Sequence, residues 1–277
     1  MAIKITAQTR ISLGIYQTDY WDEIITQWLQ NNYSCQEMNE QLEFAKDMGI
    51  STDSFYNRLP EPYWGNPDKC SFVIMNYNPG PCKDSRHNYR FCADTDYSMI
   101  NEIKKNKYSS FALSFPLYRD LRPTELWFTD SIGREWWQKQ KEIWIEDLLK
   151  HEESDKLPFA MELCAWHSVN WKGIDNRTFT KHQNLIKEQT SYFKNAIIQS
   201  DLHFGICFGK RFKNELLDKL VALNELSLHK SASSNHAVYT FDHFEDKYYI
   251  IDFWDDRNPR NRYPHQAQEI IDIIKTF

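Results

Sequence analysis

Short apolar segments alternate with helical segments along this chain, and this alternation limits the folds that it can adopt. Four segments have the length and the apolar character of buried strands: residues 71–75, 161–169, 203–209 and 247–254. Helical periodicity predicts helices over 19–48, 135–149, 181–198, 210–223 and 265–277. Strands that alternate with helices favour a parallel sheet with helices on both faces. We therefore expect a three-layer α/β/α fold around a central, mainly parallel four-stranded sheet.

The length of 277 residues fits a single α/β domain with internal additions. Residues 1–58 are predicted to form an N-terminal helical extension, with Gly49 as a helix stop. Three prolines and a glycine in 59–70 predict a fixed lead-in without regular structure. The connection between the first two strands is far longer than a usual loop, so we expect a helical insertion at 98–150. Thr180 and Gln183 have capping-box spacing and place a helix start there.

Composition and charge narrow the class of protein. The net charge of −6 argues against a protein that coats nucleic acid non-specifically. The six cysteines show no C-x-x-C spacing, which argues against a zinc or iron–sulfur site. The N-terminus has no apolar signal core, and no apolar run has the length of a membrane span. We expect a reduced, cytoplasmic, soluble protein that uses no metal and no cofactor.

Polar residues follow each predicted strand, where the carboxyl ends of parallel strands form a ligand-binding edge. Asn76, Tyr77, Asn78, Pro79 and Gly80 follow the first strand, and His167 and Ser168 end the second. Lys210 follows the third strand, and a segment with Arg257, Asn258 and Arg260 follows the fourth. Amides read base edges, aromatic rings stack on bases, and cations hold phosphate, so these tails suit a nucleobase attached to phosphate. The chain has neither the P-loop motif nor the G-x-G-x-x-G motif.

The residues that follow each predicted strand are assigned roles at the predicted site. Candidate substrate contacts are Asn76, Tyr77, Pro79, Gly80, Ser168 and Asn258, and candidate phosphate contacts are Lys210, Arg257 and Arg260. Other interpretations stay open: Asn78 can serve turn formation, Tyr77 can pack in the core, and His167 can be a buried structural histidine.

The stretch EPYWGNPDKCSFVIMNYNPG resembles the opening of the uracil-DNA glycosylase-like superfamily, in a bacterial type of member. Many members have a Pro-x-x-Gly-Asn-Pro lead-in and then an apolar strand that ends in a Gly-x-Asn-Pro-Gly type motif. The segments ELCAWHS, FGICFGKRF and IIDFWDDRNPRN follow in the order of the later landmarks of the family. The resemblance covers residues 59–275 and implies the uracil-DNA glycosylase-like fold.

The resemblance also implies an activity and roles for two residues. Such enzymes take a base out of the stack and hydrolyse its N-glycosidic bond in DNA repair. Asn78 matches the asparagine that positions the attacking water in the mismatch-specific branch. The segment Asn258-Pro259-Arg260 stands where active families commonly have His-Pro-Ser. His167 is then the candidate for stabilising the departing base, so Asn78 and His167 are the predicted catalytic pair.

Two other functions remain open from the sequence. The first motif contains no aspartate, and the last motif contains no histidine, which favours a catalytically silent protein that binds a nucleobase or nucleic acid. The tryptophans within 98–150 favour an interaction protein that docks a partner through the predicted insertion. The expected partner in the first two cases is DNA or another ligand that contains a nucleobase.

Overall fold

The structure is a computed structural model that describes residues 17–51, 55, 59–67, 70–77, 103–105, 107–109, 159–168, 171–208, 210–230, 236–243 and 246–253. Within these ranges the chain has an α/β fold, in which helices accompany one mixed sheet. The predicted helices 135–149 and 265–277 lie outside the described residues, as does most of the predicted insertion 98–150.

The sheet contains seven strands. They are β1 (Tyr63–Trp64), β2 (Val73–Asn76), β3 (Phe159–Glu162), β4 (Phe204–Phe208), β5 (Ser227–Lys230), β6 (His236–His243) and β7 (Asp246–Phe253). Their spatial order is β1-β3-β2-β4-β7-β6-β5. The strands β3, β2, β4 and β7 pair in parallel, and each overlaps one of the four segments that the sequence predicts as strands. The predicted bounds 161–169 are wrong for β3, which begins at Phe159 and ends at Glu162.

The expectation of a mainly parallel sheet of four strands is wrong, because three antiparallel strands complete the sheet. β1 pairs with β3 at one edge, and β6 and β5 extend the sheet beyond β7 at the other. β1 has only two residues and lies between Pro62 and Gly65, so the lead-in that was expected to lack regular structure holds a short edge strand. β5 is short and polar, and it gives too weak an alternation to be recognised in the sequence.

Two helices, α1 (Gln17–Leu29) and α2 (Gln36–Asp47), cover the predicted helical range 19–48. The apolar face of α1 is buried through Trp21, Ile24, Ile25 and Trp28, as the spacing predicts. α2 ends at Asp47, and Gly49 follows as the predicted stop, since Gly49 has φ +79° and its N–H donates to the carbonyl of Lys46 at 2.9 Å.

The predicted helix start at residue 181 is wrong. Helix α3 (Asn176–Lys181) precedes α4 (Gln183–Gln199), and Thr180 lies exposed inside α3. The N-cap is Asp175, whose carboxylate accepts the backbone N–H of Thr178 at 2.7 Å. Asp175 therefore satisfies an orphan donor of the first turn, and no capping box is needed at Thr180.

The sequence also predicts a helix over 210–223, which the structure divides into three parts. α5 (Lys210–Phe212) and α6 (Asp218–Ala222) are joined by a π-helical turn (Lys213–Leu217). π-Helical turns are rare and occur frequently at functional sites. Here the turn carries Glu215, whose carboxylate accepts a hydrogen bond from the hydroxyl of Tyr77, the residue that follows β2.

The two faces of β2 have different surroundings. Val73 and Met75 belong to the main core cluster, which also contains Phe193 and Ile197 of α4. Gly205 of β4 allows α4 to approach this face closely, since a Cβ there would lie 2.5 Å from Ile197 and 2.6 Å from Phe193. Side chains alternate along a strand, so Asn76 lies on the opposite face of the sheet.

Candidate functional site

The carboxyl ends of the parallel strands meet at one edge of the sheet, as the sequence analysis expects for a ligand site. Asn76 at the end of β2 is the register partner of Glu162 at the end of β3. His167 and Ser168 follow β3 and are both buried. The backbone of Lys210 begins α5 directly after β4. The structure therefore places Asn76 and the backbone of Lys210 at strand ends, and His167 and Ser168 in the segment beyond the end of β3.

Asn76 and Glu162 form a hydrogen-bonded pair at this edge. Nδ2 of Asn76 donates to Oε1 of Glu162 at 3.0 Å. The Glu162 side chain is buried, and only 5% of the residue is exposed. Burial raises the pKa of Glu162 well above its ordinary value, the Asn76 hydrogen bond lowers it, and the negative charge of Glu61 raises it further. Burial therefore favours the neutral form of this carboxyl group over the carboxylate.

The second oxygen of this carboxyl group, Oε2 of Glu162, is buried without a hydrogen-bond partner among the residues that the structure describes. A buried polar atom without a partner costs free energy, so such atoms need an explanation. Glu162 was not among the site residues predicted from the sequence. The available signal was a single charged residue inside a segment, 161–169, that was otherwise predicted to be a buried strand.

His167 is paired with Glu61, another residue that sequence analysis missed. Nε2 of His167 lies 3.1 Å from Oε1 of Glu61, and Nε1 of Trp64 donates to Oε2 of Glu61 at 3.3 Å. The backbone N–H of Glu61 donates to the carbonyl of Ala165 at 2.9 Å. This backbone hydrogen bond joins the lead-in segment to the chain after β3. It holds the carboxylate of Glu61 in place, and that carboxylate orients His167.

Tyr77 faces the main core instead of the Asn76 side of the sheet. Its hydroxyl donates to Oε2 of Glu215 at 3.1 Å, and its ring centroid lies 4.3 Å from that of Trp171 and 4.2 Å from that of Phe212. Only 5% of Tyr77 is exposed. The ring predicted to contact a ligand is thus packed between two protein rings, in agreement with the core interpretation that the sequence left open.

A cation after β4 also has protein partners. Nη1 of Arg211 donates to the carbonyl of Lys172 at 2.8 Å, and the guanidinium lies 4.8 Å from the ring centroid of Trp171. The guanidinium is half exposed and lies 3.7 Å from the carboxylate of Glu215. Arg211 therefore holds together the segments around Tyr77, while the neighbouring Lys210 stays the predicted phosphate contact of α5.

Six of the predicted site residues lie outside the described residues. They are Asn78, Pro79, Gly80, Arg257, Asn258 and Arg260. Their predicted roles therefore stay predictions.

Two further features are absent from the ranges that the structure describes. Those residues contain no group of three or more His, Cys, Asp or Glu side chains placed to hold a metal ion. They also contain no helix with the length and apolarity needed to cross a membrane.

Comparison with known proteins gives no relative for this chain. No protein-family model matches it, and neither does any curated protein or solved structure. The assignment of a function therefore depends on the chain's own residues.

Proposed function

We propose that this protein has the three-layer uracil-DNA glycosylase-like fold and is an N-glycosidase that acts on a damaged or mismatched base in DNA. The observation that carries the proposal is the partly buried Asn76–Glu162 pair at the carboxyl edge of the parallel strands. An amide and a neutral carboxyl group offer both donors and acceptors, which is the chemistry that reads the edge of a nucleobase. The cytoplasmic location expected from the composition is part of the same proposal.

The proposed reaction separates the base from the sugar. As the N-glycosidic bond breaks, the sugar gains oxocarbenium character and the base gains negative charge. In the proposal Asn78 positions the attacking water below the sugar. His167, oriented by Glu61, stabilises the charge on the departing base. Lys210, Arg257 and Arg260 hold the phosphates on either side of the extruded nucleotide.

A second candidate is a catalytically silent protein that binds a nucleobase in the same site. The close contact between His167 and Glu61 supports it, since a histidine held by a carboxylate within the fold is also a structural arrangement. This candidate predicts salt-dependent binding of single-stranded oligonucleotides, weakened in Arg257→Ala and in Arg260→Ala.

The test is a base-release assay. Labelled single- and double-stranded oligonucleotides that carry uracil, a thymine mismatch, hypoxanthine or an alkylated base are incubated with the purified protein, and alkali then cleaves at abasic sites. The proposal expects cleavage of at least one substrate, lost in Asn78→Ala and kept in Asn184→Ala, which changes an exposed asparagine of α4. Binding without cleavage across the panel would refute the N-glycosidase and favour the catalytically silent binding protein.

A further inference from the structure

The Asn76–Glu162 pair has a defined hydrogen-bonding polarity. Oε1 of Glu162 accepts the hydrogen bond from Nδ2 of Asn76, so Oε1 is the carbonyl-type oxygen of the acid. The proton of a neutral carboxyl group then lies on Oε2, which is the buried oxygen without a partner among the described residues. An O–H group in this position is a hydrogen-bond donor with no acceptor in the described part of the protein.

The surroundings of Glu162 favour the neutral acid over the carboxylate. A buried carboxylate needs several donors or a cation to replace its hydration. Among the described residues, Glu162 receives one side-chain hydrogen bond, from Asn76. Within the part of the chain that the structure describes, the charge that acts on it is the like charge of Glu61, which makes an ionised Glu162 still less favourable.

We propose that Glu162 is a specificity-determining residue, and that its Oε2–H group donates a hydrogen bond to an acceptor atom of the bound base. Oδ1 of Asn76 is the acceptor of the same hydrogen-bonded pair, so the pair offers one donor and one acceptor. The pair therefore matches a lactam edge, in which a carbonyl oxygen lies beside a ring N–H, as in uracil, thymine and hypoxanthine. This inference rests on the proposed function, because it names the base that the same site takes.

The matched variants are Glu162→Gln and Glu162→Leu. The glutamine amide keeps an oxygen for Asn76 and places an N–H donor where the acid has its O–H, whereas leucine removes both groups. Met161→Leu is the control, since Met161 precedes Glu162 on β3 and belongs to the main core cluster on the other face. Thermal unfolding of each variant shows whether the fold is kept.

The binding assay uses fluorescence anisotropy with a labelled single-stranded oligonucleotide that carries one uracil, and a second that carries 3-methyluracil. We expect Glu162→Leu to weaken binding of the uracil oligonucleotide about tenfold or more, and Glu162→Gln to restore most of that loss. We expect 3-methyluracil to bind as weakly to the wild type as uracil does to Glu162→Leu, because its ring nitrogen has no N–H for Asn76.

Infrared spectroscopy tests the protonation state of Glu162 without a ligand. The wild type is expected to show the C=O stretch of a protonated carboxyl group at pH 7, and Glu162→Gln is expected to lack it. Absence of this band in the wild type would overturn the inference. So would wild-type binding of uracil together with equal losses in the glutamine and leucine variants. A wild type that binds no oligonucleotide at low salt would instead refute the proposed function, and the inference with it.

Discussion

Substitution of Gly173 by alanine tests the hydrogen bonds through which Glu215 joins the chain beyond β3 to the end of β2. Gly173 is buried and has φ +98°, a conformation that L-residues rarely adopt. A Cβ at this position would clash with Oε2 of Glu215, so the carboxylate must move. The same oxygen accepts hydrogen bonds from the N–H of Ile174 at 2.7 Å and from the hydroxyl of Tyr77 at 3.1 Å.

The expected loss of stability has two parts. The positive φ costs alanine about 1–2 kcal/mol. Displacement of the Glu215 carboxylate weakens two hydrogen bonds to a charged acceptor, each worth about 1.5 kcal/mol in this partly exposed position. The free energy of unfolding should therefore fall by about 4–5 kcal/mol in Gly173→Ala.

Gly49→Ala is the matched control in a denaturant-unfolding assay. Gly49 also has a positive φ, +79°, but its Cβ would meet the flexible Lys172 side chain, with Cγ at 2.7 Å. We expect this variant to lose only about 1–2 kcal/mol, because the side chain of Lys172 can move. Equal losses in the two variants would refute the role given to Glu215.

Three further predictions concern other parts of the fold. Burial raises the pKa of Glu162 well above its ordinary value of about 4.3, so stability should fall as pH rises from that value toward the raised pKa of the folded state. Glu162→Gln should flatten this slope in unfolding curves from about pH 5 to about pH 8, and parallel slopes would contradict the burial argument. Burial raises the pKa of Cys164 to about 12, so iodoacetamide should modify it only in denaturant, and modification of the native protein, detected by mass spectrometry, would argue against burial. Asp175→Ala should lower Tm through loss of the α3 N-cap, while Asn176→Ala, an exposed change in the same turn, should not; equal melting curves would show that the cap contributes nothing.

Sequence patterns located the central strands because their apolar runs are flanked by polar turns. The edge strands were missed for different physical reasons. β1 is a two-residue strand beside Pro62, and its pairing with β3 depends on a segment almost 100 residues away along the chain. β5 carries little apolar character of its own and depends on β6 for pairing. Tertiary pairing decides such short strands, and local propensity does not.

The sequence predicted where the candidate site lies, but it predicted only some of the residues that form it. Asn76 and His167 were found because they stand at predicted strand ends. Glu162 and Glu61 were missed because a lone glutamate in an apolar strand or a Pro-rich segment has no spacing signature. Their role depends on contacts with Asn76 and with His167 that only the folded chain makes.

Side chains alternate between the two faces of β2, so the candidate site is sensitive to the length of that strand. Asn76 lies on the Glu162 side of the sheet, whereas Tyr77, one residue further, enters the main core beside Trp171. Deletion of a single residue between Val73 and Asn76 would exchange the two sides, placing a phenol opposite Glu162 and an amide in the core. Point substitutions at this strand end leave the two faces in register, whereas insertions and deletions would be expected to destroy the Asn76–Glu162 pair and the core together.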